Sequence, residues 1–417
     1  MNSLSGTTLI DNTIVPAAAG SDIRLLVPAD DILNPELSIV VPALNEELTI
    51  GRFVEWCQEG LRRAGVRAEI LIIDSSTDST AEVAVSKGAR VLKTPKRGLG
   101  RAYLDAIPFI RGIYVLMGDA DCTYDFRRLG PFVEKFRNGH EYIMGSRFRG
   151  YIEPGSMPPL HQYCGTPATT WLLNFLYASS FSDIHCGMRG ITREALCRMD
   201  LQSQSWEYAS EMVLKSVRMN LRTAEVPVNF LKDQEGRLSH HKRAGWFSPW
   251  HAAWINLKAM FVYGADFFLF RPGLILLLIG LILTIPATFG SVTVGPIAFS
   301  LYWMFFGLTL SVVGLHGFYV GCLARIFLDY NGAQTRRWLK VFSYTRSALM
   351  SAIAVLIGVI LVWPLAHEYI HSGLQLPVDV FPANHMAVTG LLFVIAGCMN
   401  FTFTLVLHAA AANVKIR

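Results

Sequence analysis

Between Arg271 and Arg325 the sequence has no Asp, Glu, Lys or Arg, and the stretches Ser347–Ala366 and Met386–Ala412 lack all four as well. Such lengths without charge exclude a chain that is soluble throughout. Each is near or above the ~20 residues a helix needs to cross the hydrocarbon core. The first block is too long for one crossing, and Gly290-Ser-Val-Thr-Val-Gly-Pro296 supplies a turn. Four transmembrane helices are therefore expected within 271–417, at about 272–290, 296–324, 347–366 and 386–412. No Asp or Glu falls inside these spans, which argues against a proton-coupled transporter. The seven cysteines are odd in number and form no C-x-x-C pair, the pattern of a reducing compartment. The amino terminus lacks the basic-then-apolar pattern of a signal peptide. A formal charge of +5 suits a basic surface facing a membrane, not a nucleic-acid binder.

The basic residues that are present set an orientation. Arg325, Arg336, Arg337, Lys340 and Arg346 gather between the second and third spans, and the chain ends Lys415-Ile-Arg417. The turn near Ser291 and the loop His367–His385 have no Lys or Arg. By the positive-inside rule the soluble portion lies on the cytoplasmic face, with the plasma membrane as the expected location.

That soluble portion alternates strand-like and helix-like stretches, the pattern of an α/β sheet covered on both faces. Residues 1–35 read as a leader with little fixed structure, and 36–243 as the sheet domain. Strands are expected at Leu37–Pro42, Ala68–Asp74, Ala89–Lys93, Ile113–Met117 and Glu141–Gly145, with a helix near Arg127–Asn138. The strand ending at Met117 runs into Asp119-Ala-Asp121, where open α/β sheets collect their ligands. Carboxylates at i and i+2 can hold one Mg²⁺ or Mn²⁺ and leave positions for diphosphate oxygens; the other reading is a solvated acidic turn. Asp74 ends a strand, either to meet a base or ribose or to cap the next helix. Gly98-Leu-Gly100 opens a helix where backbone amides could take a phosphate, but it is not the G-x-G-x-x-G fingerprint. Two stretches, 158–181 and 244–270, are rich in Trp, Phe and Leu yet too polar to span. They read as interfacial, amphipathic helices, or else as ordinary core helices.

In order along the chain stand Pro42-Ala-Leu-Asn-Glu46, Ile73-Asp74-Ser-Ser-Thr-Asp78, Gly98-Leu-Gly100, Asp119-Ala-Asp121, Gly145-Ser-Arg147, Ser182-Asp-Ile-His-Cys-Gly-Met-Arg-Gly190, Trp206-Glu-Tyr-Ala-Ser-Glu211 and Glu225-Val-Pro-Val228. The series resembles family 2 glycosyltransferases, in particular the dolichol- and polyprenyl-phosphate mannosyl- and glucosyltransferases, over about Leu37 to Arg243. The resemblance implies a GT-A fold with a nucleotide held by Pro42, Leu44, Glu46, Asp74, Gly98 and Asp119. It implies Mg²⁺ or Mn²⁺ on Asp119 and Asp121, Arg147 near the phosphates, and Arg189 and Glu211 bordering donor sugar and acceptor. A nucleotide sugar (UDP- or GDP-hexose) and a polyprenyl phosphate are the implied partners, and look-alikes form tetramers. The chain departs from the pattern at Cys122, where relatives often carry Asp, and at Glu235-Gly-Arg-Leu-Ser-His-His-Lys242.

The chemistry implied is direct, inverting transfer. A lipid monophosphate is ionised at neutral pH, so no strong general base is required and positioning is the main task. Positive groups must offset repulsion between two anions; Arg147, Arg149, Arg189, Arg237, His240, His241, Lys242 and Arg243 are the candidates, with Arg147, Arg237, His240 and Lys242 assigned to the acceptor phosphate. A rival reading is a polysaccharide synthase with a sugar hydroxyl as acceptor. There Asp121 or Glu211 would serve as base, and Gln334-Thr-Arg-Arg337-Trp338 matches that group's Gln-x-x-Arg-Trp.

Overall fold

A computed structural model describes residues 22–177, 179–234, 254, 257–258, 261–329, 332–375 and 381–413. The chain divides into two compact units, Met1–Met260 and Phe261–Arg417.

The first unit is built on one eight-stranded sheet. Its strands are β1 (Arg24–Leu26), β2 (Leu37–Ala43), β3 (Ala68–Asp74), β4 (Arg90–Lys93), β5 (Tyr114–Met117), β6 (Tyr142–Ile152), β7 (Arg189–Thr192) and β8 (Thr223–Phe230). Their order across the sheet is β1-β4-β3-β2-β5-β7-β6-β8. Strands β4, β3, β2 and β5 are parallel, and β7 runs antiparallel between β5 and β6. The apolar runs Ile39–Val41 and Ile70–Ile73 are buried, as a parallel sheet covered on both faces requires. Chain order reverses between β3 and β5 on either side of β2, which opens a crevice beyond the carboxyl ends of these strands.

The helices follow from apolar spacing. In α1 (Glu47–Ala64) Ile50, Phe53, Val54, Cys57 and Leu61 recur at helical intervals and are buried, and Gly65 ends the helix in the left-handed conformation. Each large apolar side chain sealed in this way contributes roughly 1.5–3 kcal/mol. Further helices are α2 (Thr80–Ser86), α3 (Leu99–Ala106), α4 (Gly130–Arg137), α5 (Thr166–Tyr177), α6 (Arg193–Met199) and α7 (Tyr208–Arg218).

Residues 22–35 differ from the expected leader. Arg24, Leu25 and Leu26 pair antiparallel with Lys93, Leu92 and Val91, so the free edge of β4 captures them as a strand. The helix expected near Arg127–Asn138 is a 3₁₀ turn, Phe126–Arg128, followed by α4 from Gly130. The stretch expected at 158–181 holds a π-helical turn, His161–Gly165, running into α5.

The second unit has four helices long and apolar enough to cross a membrane: α8 (Ala265–Thr284), α9 (Leu301–Phe327), α11 (Tyr344–His371) and α12 (Ala383–Asn413). A short α10 (Ala333–Val341) precedes α11, and β9 (Val292–Val294) and β10 (Ile297–Phe299) form a hairpin between α8 and α9. The first helix thus begins at Ala265, ahead of the expected 272, because Asp266 is matched 3.5 Å away by Arg325 of α9. It stops at Thr284, and the hairpin takes residues that the charge pattern alone assigned to spans. Most of the stretch 244–264 lies outside the described residues; 265–270 belong to α8. Helices α8 and α9 meet at glycines: a Cβ on Gly314 would stand 2.3 Å from the Leu277 nitrogen. Asn400 of α12 receives the Tyr319 hydroxyl at 2.9 Å and donates to Ser347 and Ser351, joining three of the long helices by hydrogen bonds.

Candidate active site

Asp119 and Asp121 stand just beyond β5, half-buried, at the reversal point of the sheet. Their turn is held from several directions. Asp121 Oδ1 accepts the Thr123 amide at 2.9 Å and its hydroxyl at 2.6 Å. Tyr103 donates its hydroxyl to the Gly118 carbonyl at 3.2 Å, and Phe126 packs edge-on to Phe53 of α1 with ring centroids 5.0 Å apart. Cys122 adopts a left-handed backbone, φ 61°, and is buried. Beside Asp119 runs Gly187, where a Cβ would lie 2.5 Å from Oδ2. That glycine keeps one side of the carboxylate clear.

Among the described residues no group of three or more His, Cys, Asp or Glu side chains forms a metal cage. The donor set still fits a hard cation. Two carboxylates at one turn, one of them left uncrowded by a glycine, suit an ion that completes its shell with diphosphate oxygens and water.

The loops after β2 and β3 are stitched together next to this turn. Asn45, at φ 56°, donates its amide to Ser76 Oγ at 2.7 Å, and its side-chain oxygen accepts the Thr77 amide at 3.0 Å. The Glu46 amide donates to Thr80 Oγ1 at 2.9 Å, while its carboxylate turns inward to accept the Thr49 hydroxyl at 3.0 Å. Pro42 and Leu44 are half-buried along the same edge. Asp74 ends β3 with Oδ1 accepting the Ser76 amide at 3.1 Å. Pro42, Leu44, Glu46, Asp74, Asp119 and Asp121 thus gather at the carboxyl ends of three adjacent parallel strands.

Other expected residues are placed differently. Gly98 and Gly100 serve a backbone contact: a Cβ on either would lie 2.3 Å from the Gln204 or Ser203 carbonyl, and the Arg101 amide already donates to Gln204 O at 3.0 Å. The amino end of α3 therefore receives residues 203–205, which take the place expected for a phosphate. Arg147 is bound edge-on by Asp183, Nε to Oδ2 at 2.7 Å and Nη2 to Oδ1 at 2.9 Å, leaving only Nη1 without a hydrogen bond among the described residues. Arg189 is fully buried and donates to the carbonyls of Ala209 at 3.0 Å and Cys186 at 2.5 Å, behind the ring of Tyr208. Burial first, with Asp119 adding to it against Arg189, pushes Tyr208 up to about 12.

Glu211 is completely buried and accepts hydrogen bonds from the amides of Gln202 and Ser203 and from Lys215 at 2.6 Å. Burial raises its carboxyl, but these partners outweigh burial and hold it below the usual range. Glu211 thereby anchors the backbone at Gln202 and Ser203. Arg237, His240 and Lys242 lie outside the described residues.

Asp183, Tyr103, Tyr124 and Tyr208 are site residues that sequence reasoning missed; Tyr124 accepts the Gly187 amide at 2.8 Å. From Asp183 a chain of contacts leads outward. His185 follows Asp183 by two residues and its Nε2 lies 2.9 Å from Thr169 Oγ1 of α5. Around α5 no Asp, Glu, Lys or Arg occurs between Glu153 and Asp183. Leu160, Tyr163, Trp171 and Phe175 are exposed there, the last two stacked with centroids 5.6 Å apart.

In the second unit, Trp338 of the Gln-x-x-Arg-Trp match is 8% exposed, packed among Phe270, Phe318 and Phe342. It is a core residue of the helical unit.

Comparison with known proteins agrees with this architecture. Residues 38–199 match the model of glycosyl transferase family 2, and 322–411 match the glycosyltransferase family 2 C-terminal transmembrane region. Low-salt glycan biosynthesis hexosyltransferase Agl6 of Haloferax volcanii is 35% identical over 363 residues, covering 86% of each chain. The chain is a family 2 glycosyltransferase. This enzyme of GT-A fold carries a C-terminal transmembrane region. It is also similar to a dolichyl-phosphate hexose transferase of H. volcanii, 29% identical over 47% of this chain and 82% of that one. A dolichyl-phosphate beta-glucosyltransferase of Dictyostelium discoideum is 28% identical over 51% and 70% respectively.

Proposed function

We propose that this enzyme transfers one hexose, with inversion, from a nucleotide sugar to a polyprenyl phosphate on the cytoplasmic face of the plasma membrane. The observation that carries the reading is the carboxylate pair Asp119/Asp121 at the reversal point of the sheet, flanked by the loops after β2 and β3. The relatives named dolichyl-phosphate transferases support the acceptor, and so do the exposed apolar side chains Leu160, Tyr163, Trp171 and Phe175 in and before α5, which suit a lipid boundary.

Asp119 and Asp121 would hold Mg²⁺ or Mn²⁺, which when bound neutralises charge on the diphosphate leaving group. The loops after β2 and β3 hold the nucleoside. An ionised phosphate oxygen of the acceptor attacks the anomeric carbon, forming the new C–O bond as the bond to the diphosphate breaks on the opposite face. No proton has to leave the acceptor, so the burial of Glu211 in an ion pair costs the reaction nothing. With the Nε–Nη2 edge of Arg147 engaged by Asp183, its Nη1 and the basic run Arg237–Arg243 are assigned to the acceptor phosphate.

Membranes containing the protein should convert undecaprenyl or dolichyl phosphate to a lipid monophosphate sugar when supplied with Mn²⁺ and a panel of UDP- and GDP-hexoses. Mass spectrometry identifies the product, and Asp121→Asn should abolish it. A growing or lipid-free glycan, or transfer that survives Asp121→Asn, would sink the proposal.

A further inference from the structure

At the amino ends of β3 and β4 lies a cavity of about 460 Å³, lined in part by Asp31, Leu61, Val66, Glu69, Ile70 and Arg90. At ~3.3 Å per residue along β3, this end of the sheet is about 20 Å from the carboxyl ends that Asp119 and Asp121 border. Arg90 is 3% exposed, and its Nε has no hydrogen-bond partner among the described residues. Its Nη1 is engaged by Glu69 and by the Phe109 carbonyl, the latter 3.0 Å away. Asp31 Oδ1 stands 3.8 Å from that Nε, too far to accept its proton, while Oδ2 takes Arg111 at 2.7 Å. Asp31 and Arg90 both line the cavity, so the unfilled gap between them belongs to its wall.

The chemistry of that wall selects a ligand. An oxygen that accepts from Arg90 Nε and donates to Asp31 Oδ1 fits the gap, and a hydroxyl or a water does both. Glu69 neutralises Arg90 and Arg111 neutralises Asp31, so the inner wall favours a neutral ligand over a phosphate or a metal ion. Arg62, Arg67 and Asp30 are the exposed charges of the lining. At ~30 Å³ each, about 15 waters would fill the space, yet Leu61, Val66 and Ile70 offer them no hydrogen bonds. A pyranose satisfies both halves, with hydroxyls turned to the polar pair and its C–H face laid on the apolar side chains. We infer that this cavity is an accessory carbohydrate site that takes a neutral hexose ring. It stands apart from the transfer cleft and needs neither nucleotide nor metal.

Saturation-transfer NMR on the full-length protein, in a detergent without a sugar head group, tests this with glucose, galactose, mannose and N-acetylglucosamine as probes. At least one sugar is expected to take up saturation, and UDP or GDP with Mn²⁺ should leave its signal in place. Asp31→Ala removes the acceptor and should weaken that sugar roughly tenfold or more, the worth of one hydrogen bond to a charged group. Arg90→Lys keeps a charge opposite Glu69 but removes the Nε donor, and should weaken it as much. If Arg90→Lys melts far below wild type, Asp31→Ala alone decides. Inorganic phosphate at the same concentration should not compete. Saturation in none of the four sugars overturns the site and leaves water as its occupant. Displacement by nucleotide and Mn²⁺ places the sugar in the transfer cleft, displacement by phosphate makes the cavity an anion site, and an unchanged signal in Asp31→Ala removes the polar pair. Each of these overturns the inference and leaves the transfer reading standing.

Discussion

Replacing Glu211 by Gln separates an anchoring role from a chemical one. Glu211 and Lys215 lie 2.6 Å apart with side chains 0% and 3% exposed, and Lys215 also donates to the carbonyls of Met199 and Asp200. Gln keeps the shape and one acceptor, but takes the carboxylate charge away from the buried ammonium. Breaking a buried pair from one side costs about 3–5 kcal/mol. For a unit of this size that corresponds to a melting temperature lower by roughly 6–20 °C. The companion variant Lys215→Met removes that ammonium, so the double variant should recover at least half of the loss. Thermal unfolding of the full-length protein in detergent, followed by near-ultraviolet circular dichroism, gives both numbers, with initial transfer rates measured well below each melting point. Under the anchoring role the rate of the surviving folded fraction stays within an order of magnitude of wild type. A Glu211→Gln protein that melts like wild type but transfers a thousandfold more slowly would refute this reasoning and restore Glu211 as a base.

Gly187→Ala places a methyl group against Asp119 Oδ2 and should weaken Mn²⁺ activation by roughly tenfold or more with little change in melting; a metal titration of initial rates checks it. Gly100→Ala sets a Cβ 2.3 Å from the Ser203 carbonyl and should destabilise by about 1–3 kcal/mol while opening residues 203–205 to proteolysis. Burial first, then Arg147, lowers His185 to about 4, so an unfolded chain takes up its proton near 6.5 while the folded one does not. Stability from this group is therefore lost as pH falls from about 6.5 to 4, up to about 3 kcal/mol, and His185→Gln should flatten that part of the melting-versus-pH curve. Asn400→Leu strands the Tyr319 hydroxyl between helices and should cost about 1 kcal/mol, read from the urea midpoint of the helical unit.

What the sequence made legible follows from where information is local. Strands β2, β3 and β5 are buried on both faces, so each reads as an apolar run whose end places Asp74, Asp119 or Asp121 at the crevice. The three residues of β1 carry no such run; only the free edge of β4, about 65 residues away, decides their state. The charges at Arg147, Arg189 and Glu211 were visible, but their partners were not equally so. Lys215 stands four residues after Glu211 on one helix, a spacing that announces the pair. Asp183 falls within the Ser182–Gly190 motif but lies 36 residues from Arg147, and no local spacing names the two as partners.

The glycines at 98 and 100 show the same limit from the other side. Their lack of a side chain marks a close approach, but does not say whether a phosphate or the chain's own carbonyls make it. Trp338 extends the point to function. As a string, Gln334-Thr-Arg-Arg337-Trp338 fits a synthase, yet its indole is enclosed by Phe270, Phe318 and Phe342, where no acceptor sugar can stack on it. A motif specifies residue types at a spacing; which surface those side chains face is set by the elements that cover them. Packing around Trp338 therefore weighs against sugar-hydroxyl chemistry, and the carboxylates beyond β5 remain the place where transfer is to be sought.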